Sequence, residues 1–166
     1  MMKVAALIVG LLFSILPVPD ISEVRQSYRE ASTDGEAATR LYQDLSTISK
    51  GEDDVLIAYK GGVTTMLAKY AKTVKEKKMF FKEGITFLEY AVEKAPNNIE
   101  IRYVRLSVKE NAPKITGYKK NLDEDKDFIL NHLSSVENPE IKKYIKGYIS
   151  QSKIFNESEK QSVLDD

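Results

Sequence analysis

Apolar residues recur at intervals of three and four along most of this chain, which is the spacing of one face of an α-helix. No segment alternates polar and apolar residues over more than four positions, so the pattern predicts no β-sheet. The sequence therefore indicates an all-α fold of about seven helices. The predicted helices cover approximately residues 21–31, 37–48, 54–74, 77–94, 99–110, 123–133 and 139–149.

Punctuating residues support these boundaries. Thr33, followed three residues later by Glu36, is typical of a capping box at the start of the second helix. Pro96 ends the fourth helix, because proline disfavours helical geometry in the residue before it. Two adjacent glycines, Gly61-Gly62, would cost the third helix roughly 2 kcal/mol relative to alanine. Their presence predicts that another helix passes too close at that point for a side chain.

The end of the fourth helix carries a family-like pattern. Gly84, Leu88, Ala91 and Pro96 have the small-large-small-proline spacing of the second helix of a tetratricopeptide (TPR) repeat. The segment 84–98 resembles that family closely, whereas Gly61-Gly62 lies about ten residues before the position of the family's first-helix glycine. The resemblance implies antiparallel helix hairpins stacked as a TPR-like α-solenoid. An irregular helical bundle would show the same apolar stripes and stays open as an alternative.

The first residues have the pattern of a targeting segment. Met1-Met2-Lys3 precedes Val4 to Leu16, a run of 13 uncharged residues that ends before Pro17. A membrane span needs about 20 apolar residues, so the run fits a secretory signal better. We expect residues 1–19 to be a signal peptide or leader, 20–155 a single TPR-like domain, and 156–166 a polar flexible tail.

This start also suggests where the protein is found. Together with the later segment 117–127, it resembles small exported bacterial proteins of unknown role, which implies a secreted or periplasmic location. An uncleaved anchor is the alternative, and in that case the leader would be the only contact with the membrane.

Composition argues against several kinds of function. Lys and Arg number 25, as do Asp and Glu, so the chain has no overall positive field that would gather nucleic acid. The chain has no cysteine and one histidine, His132, which excludes thiolate sites and sites built on several histidines. His132 is expected at a helix end or on the surface. No cofactor and no metal are predicted.

One acidic motif imitates a calcium loop. Asp123-x-Asp125-x-Asp127 begins like an EF-hand, but Phe128 replaces the glycine and Ser134 the final glutamate of that loop. We interpret the three carboxylates as an acidic first turn that complements the positive end of a helix. No catalytic signature is present, so the sequence predicts a non-enzymatic protein. A small hydrolase with an unrecognised site is the less favoured alternative.

The candidate binding residues follow from the TPR-like stacking. First helices of successive pairs would line a concave face and expose polar residues for a protein or peptide partner. An alternative is that the charges of this face pair with nearby Asp and Glu residues or simply face water. The predicted partner-binding residues are Lys60, Thr64, Arg102, Arg105 and Lys109, of which the last three share one helical stripe.

The sequence thus predicts an exported, non-enzymatic helical-repeat scaffold, or a structural accessory subunit of a cell-envelope assembly. Aromatic side chains offer two interpretations. Tyrosines on the predicted helices could form a partner interface, or they could be core residues with their hydroxyl groups at the rim. The tyrosines concerned are Tyr59, Tyr70, Tyr90, Tyr103, Tyr144 and Tyr148.

Overall fold

The computed structural model describes residues 19–164, so the predicted leader lies outside the described range except for its last residue. All regular structure in this range is helical, which confirms the all-α prediction. Two 3₁₀ turns, at Lys114–Thr116 and Leu133–Ser135, accompany eight α-helices. The α-helices are α1 (Ile21–Ala31), α2 (Gly35–Asp44), α3 (Asp54–Tyr70), α4 (Val74–Lys94), α5 (Ile99–Asn111), α6 (Leu122–His132), α7 (Pro139–Gln151) and α8 (Glu157–Leu164).

Side-chain caps set most of the helix starts, and two of them differ from the sequence expectation. Asp34, not Thr33, caps α2 by accepting hydrogen bonds from two backbone amides of its first turn. The capping box forms instead between Thr73 and Glu76. This box starts α4 at Val74, a residue that the apolar stripe had placed at the end of the third helix.

A second difference lies at the carboxyl end. Where the sequence predicted a polar flexible tail, the structure has helix α8. Val163 of this helix is only 7% exposed and belongs to the core. Lys126 of α6 also pairs with Glu159 at 2.7 Å, so the segment is joined to the fold by both apolar and ionic contacts.

The long helices α3 and α4 form an antiparallel hairpin with very close backbones. Gly61 of α3 faces Gly84 and Leu88 of α4, and Gly84 in turn faces Thr65. The predicted near contact at Gly61-Gly62 is therefore confirmed. Every residue of α3 from 56 to 65 is buried, which makes α3 the helix enclosed on the most sides.

Helix α5 lies at the centre of the other half of the molecule. It packs antiparallel to α6, contacts α3 and α4, and meets α7 through Tyr103 and Tyr144, whose ring centroids are 5.1 Å apart. Helix α1 packs against α3, where the ring of Tyr28 lies edge-on to the ring of Tyr59. None of the helices in residues 19–164 combines the length and apolarity needed to cross a bilayer.

Candidate functional site

The five predicted partner-binding residues are not exposed, which corrects the sequence expectation. Four of them, Lys60, Thr64, Arg105 and Lys109, are buried. The side chain of Arg102 is only 12% exposed. The concave-face geometry assumed that these side chains point into solvent. They point inward because the stripes that carry them lie between helices.

Lys60 and Thr64 of α3 are buried, and Lys60 makes its hydrogen bonds inside the protein. The Lys60 ammonium donates hydrogen bonds to the carbonyl oxygens of Ser46 and Ile48, at 2.9 Å and 2.6 Å. It also lies 5.1 Å from the centre of the Phe87 ring. Burial lowers the pKa of Lys60, which is the expected direction for an ammonium group removed from water. Lys60 therefore ties the loop after α2 to the α3–α4 hairpin.

The three basic residues of α5 converge on one carboxylate, Asp125 of α6, which is fully buried. Arg105 donates two parallel hydrogen bonds to Asp125, at 2.8 Å and 2.6 Å. Lys109 donates at 2.9 Å to one oxygen, and Arg102 at 2.9 Å to the other. These charges pair with acidic residues of the same chain, as the alternative interpretation of the sequence held.

Further acidic groups balance the cluster. Glu124 accepts hydrogen bonds from Arg102 and Arg105, and Glu89 of α4 accepts one from Arg105 at 3.0 Å. The cluster thus holds three cations and three carboxylates. Its members are Arg102, Arg105, Lys109, Glu89, Glu124 and Asp125. We refer to it as the Asp125 cluster.

The electrostatics of Asp125 follow from this surrounding. Burial alone would raise the pKa of Asp125, because a carboxylate is less stable away from water. Hydrogen bonds from Arg105 and Lys109 outweigh burial, so its pKa lies below the ordinary value. Asp125 is consequently ionised at neutral pH and forms the anionic centre of the cluster.

A second ion pair joins three helices on the opposite side of α5. Arg25 of α1 donates to both oxygens of Glu100, at 2.8 Å and 3.0 Å, and the Tyr59 hydroxyl donates to Glu100 at 2.8 Å. The Glu100 hydrogen bond is the largest cause that raises the pKa of Arg25. Glu140 of α7 accepts a further bond from Arg25 at 3.2 Å. This pair links α1, α3 and α5, with α7 at its edge.

Beside the Asp125 cluster lies an open cleft of about 300 Å³. One wall is the loop 113–121, in which Gly117 and Asn121 adopt left-handed backbone conformations, with φ of 67° and 56°. Ile115 in this loop is 96% exposed, an unusual degree for a large apolar side chain. The residues that line the cleft are Glu89, Arg105, Lys109, Gly117, Tyr118, Lys120, Asn121 and Glu124.

Sequence reasoning missed the acidic partners of these clusters. Asp125 was grouped with its neighbours Asp123 and Asp127, which are exposed, and only Asp125 turns inward. Its position one helical turn before the apolar residues Phe128 and Ile129 was the available signal, because it puts Asp125 on the apolar side of α6.

Half of the six tyrosines that the sequence singled out are buried core residues. Tyr59, Tyr103 and Tyr144 are buried, and the Tyr144 hydroxyl donates to the carbonyl of Arg25 at 3.0 Å. The core interpretation is therefore confirmed for these three, whereas Tyr70 is 38% exposed. His132 is exposed at the end of α6, as expected.

The buried charged and polar groups of the site pair with one another. In the part of the chain that the structure describes, no buried side-chain nitrogen or oxygen lacks a hydrogen-bond partner, and no group of three acidic, histidine or cysteine residues could hold a metal ion. No protein family, curated protein or solved structure matches the chain. In the described residues, the protein is all-α, and its buried charged side chains all have hydrogen-bond partners within the same chain.

Proposed function

We propose that this protein is an exported, non-enzymatic helical scaffold that binds an acidic segment of a partner protein at the cleft beside loop 113–121. The observation that carries the proposal is the combination of a concave surface with an almost fully exposed isoleucine, Ile115, in the loop that forms one of its walls. Export is inferred from the leader pattern of residues 1–16, and the scaffold is proposed to be TPR-like. Pairing of α1 with α2, α3 with α4 and α5 with α6 supports that architecture.

The size of the cleft favours a peptide segment over a large cofactor. Pockets that enclose drug-sized ligands span approximately 300–1,000 Å³, and this cleft lies at the lower limit and is open to solvent. A space of this kind accepts one or two side chains of an extended segment. Ile115 lies two residues before Gly117 in the same loop and offers such a segment an exposed apolar contact.

The charge of the cleft indicates the kind of segment. Arg105, Lys109 and their acidic partners balance one another within the Asp125 cluster. Lys120 also lines the cleft, is exposed, and forms no ion pair with any described residue. One cation is therefore left for a carboxylate of the partner, because the other charges already have internal partners.

Site-specific photo-crosslinking in the producing cell tests the proposal. A photoreactive amino acid placed at Ile115 should give one discrete protein adduct, whereas the same group at the exposed Gln43 of α2 should give none. Lys120→Glu should abolish the adduct at position 115, and Lys143→Glu, an equal charge change on α7, should leave it intact. Equal adducts at positions 115 and 43, or an adduct insensitive to Lys120→Glu, would contradict the proposal.

A structural accessory role in a cell-envelope assembly is the second candidate. It is favoured by the internally satisfied polar groups, since a subunit with a structural role needs rigidity more than free functional groups. In that case the adduct at Ile115 would be a subunit of a stable complex and would co-purify with the protein without crosslinking. A transient partner would be recovered only after crosslinking.

A further inference from the structure

The corner between α3 and α4 is rich in exposed lysines. Residues 69–82 contain six lysines and a single acidic residue, Glu76. All six lysines are exposed, and none forms an ion pair with a described carboxylate. We name residues 69–82 the basic corner; its lysines are Lys69, Lys72, Lys75, Lys77, Lys78 and Lys82.

Apolar side chains project from the same corner. Val74 is 69% exposed, Met79 51% and Tyr70 38%. With Ile115, these are the only large apolar residues among residues 19–163 that reach this exposure. Three of the four thus lie within 14 consecutive residues, from 69 to 82, and are interleaved with the lysines.

Three of these lysines lie where the dipole of α4 disfavours positive charge. Lys75, Lys77 and Lys78 lie in the first two turns of α4, next to the positive end of the helix dipole, where cations are disfavoured. Lys78 and Lys82 are also four residues apart, so they repel each other. The one acidic group, Glu76, is engaged in the capping box with Thr73. An external anionic surface would relieve this repulsion.

From this arrangement we propose that the basic corner docks on an anionic lipid membrane surface. Every residue from 72 to 79 is exposed, so the corner is convex, and no residue of the corner lines the cleft beside loop 113–121. Peptides bind in grooves, whereas a convex tip with apolar side chains among lysines fits the interface of a bilayer. The apolar tips enter between the headgroups, and the lysines contact the lipid phosphates.

The absence of cysteine from the chain allows a site-specific test. In the full-length protein, Met79→Cys is labelled with an environment-sensitive fluorophore, and Gln43→Cys is labelled as the matched exposed control. Vesicles of phosphatidylcholine mixed with phosphatidylglycerol should shift the emission at position 79 to the blue and leave position 43 unchanged. Vesicles of phosphatidylcholine alone should give little shift at either position.

Charge variants then separate local contact from general attraction. In the labelled Met79→Cys protein, Lys75→Gln, Lys77→Gln and Lys78→Gln together should weaken vesicle binding by about a hundredfold, at roughly fivefold per lysine near an anionic surface. Removing three exposed lysines elsewhere, Lys94, Lys143 and Lys153, changes the net charge equally and should reduce binding far less.

Three results would overturn the membrane proposal. They are no shift at position 79 with anionic vesicles, equal weakening by both lysine triplets, and a shift produced by polyglutamate but not by vesicles. The last result would assign the basic corner to an acidic protein segment instead. The crosslink at Ile115 is tested with Lys120→Glu and the vesicle shift at position 79 with the lysine triplets, so failure of one proposal is distinguishable from failure of the other.

Discussion

Gly61 and Gly84 meet across the α3–α4 hairpin so closely that neither position has room for a methyl group. A Cβ atom built on Gly61 would lie 2.7 Å from the carbonyl oxygen of Gly84, and one built on Gly84 would lie 2.5 Å from the carbonyl oxygen of Gly61. Both contacts involve backbone atoms, which cannot move aside by a change of rotamer. The hairpin therefore depends on glycine at both positions.

Gly61→Ala or Gly84→Ala should lower the free energy of unfolding by about 2 kcal/mol or more. Alanine improves helix propensity by only about 1 kcal/mol, and separating two packed helices costs more than that. Chemical denaturation monitored by circular dichroism measures the difference.

Gly147→Ala is the matched control, since it also replaces a helical glycine. No atom lies within 4 Å of a Cβ at this position. The substitution should raise the free energy of unfolding by about 0.5–1 kcal/mol, because alanine loses less backbone entropy than glycine. A stabilising effect at Gly61 similar to that at Gly147 would show that the α3–α4 contact is looser than the structure has it.

Asp125→Asn should destabilise the protein by about 3–5 kcal/mol. The side chain keeps its size but loses the charge that compensates Arg105 and Lys109, and buried cations without a partner are costly. Thermal unfolding measures the effect, with the exposed Asp127→Asn on the same helix as control. A change of less than 1 kcal/mol at position 125 would mean that water enters the cluster.

The same cluster predicts how stability depends on pH. The pKa of Asp125 is lower in the folded protein than its ordinary value near 3.9, so its contribution is present above about pH 4 and is lost as the pH falls through the folded pKa. Glu124, whose pKa is lowered by the hydrogen bond from Arg102, acts in the same direction. The free energy of unfolding should therefore fall more steeply below pH 4 in the native protein than in Asp125→Asn. Parallel curves would contradict this assignment.

Glu100→Gln should cost more stability than Tyr59→Phe. Glu100→Gln leaves the buried guanidinium of Arg25 without its main anion, at about 3 kcal/mol or more. Tyr59→Phe removes one hydrogen bond to a charged acceptor, worth about 1.5–3 kcal/mol. The double variant should be less destabilised than the sum of the two, because both changes act on the same carboxylate. Strict additivity in urea denaturation would show that the two groups act independently.

Val163→Asp should release α8 from the fold. Val163 is 7% exposed and contacts the core, so a carboxylate there loses hydration without gaining a partner, at about 2 kcal/mol or more. Limited proteolysis should then cut within residues 156–164 at an earlier time than in the native protein. Gln161→Asp adds the same charge at an exposed position of α8 and should leave the cleavage rate unchanged.

The sequence predicted which segments are helical better than it predicted which residues those helices contact. Apolar periodicity and Pro96 identified the helical segments, and Gly61-Gly62 predicted the near contact of two helices. The sequence predicted the helix boundaries less accurately. Thr73 and Glu76 form a capping box, whereas the sequence had suggested one at Thr33. Helix α8 was missed because a short polar segment with one buried valine has no recognisable stripe.

By itself, then, the sequence determined that the chain is all-α and where glycine brings two helices together, since both follow from local backbone preferences. Only the tertiary structure decided which charged residues are internal. Arg105 and Asp125 are 20 positions apart, and their ion pair exists because α5 and α6 pack antiparallel. Packing between helices likewise buried the other charges that were expected to bind a partner, and it left Ile115 and the lysines of the basic corner exposed. Burial of a charge depends on a partner from another helix, and residue spacing within one helix carries no information about that partner.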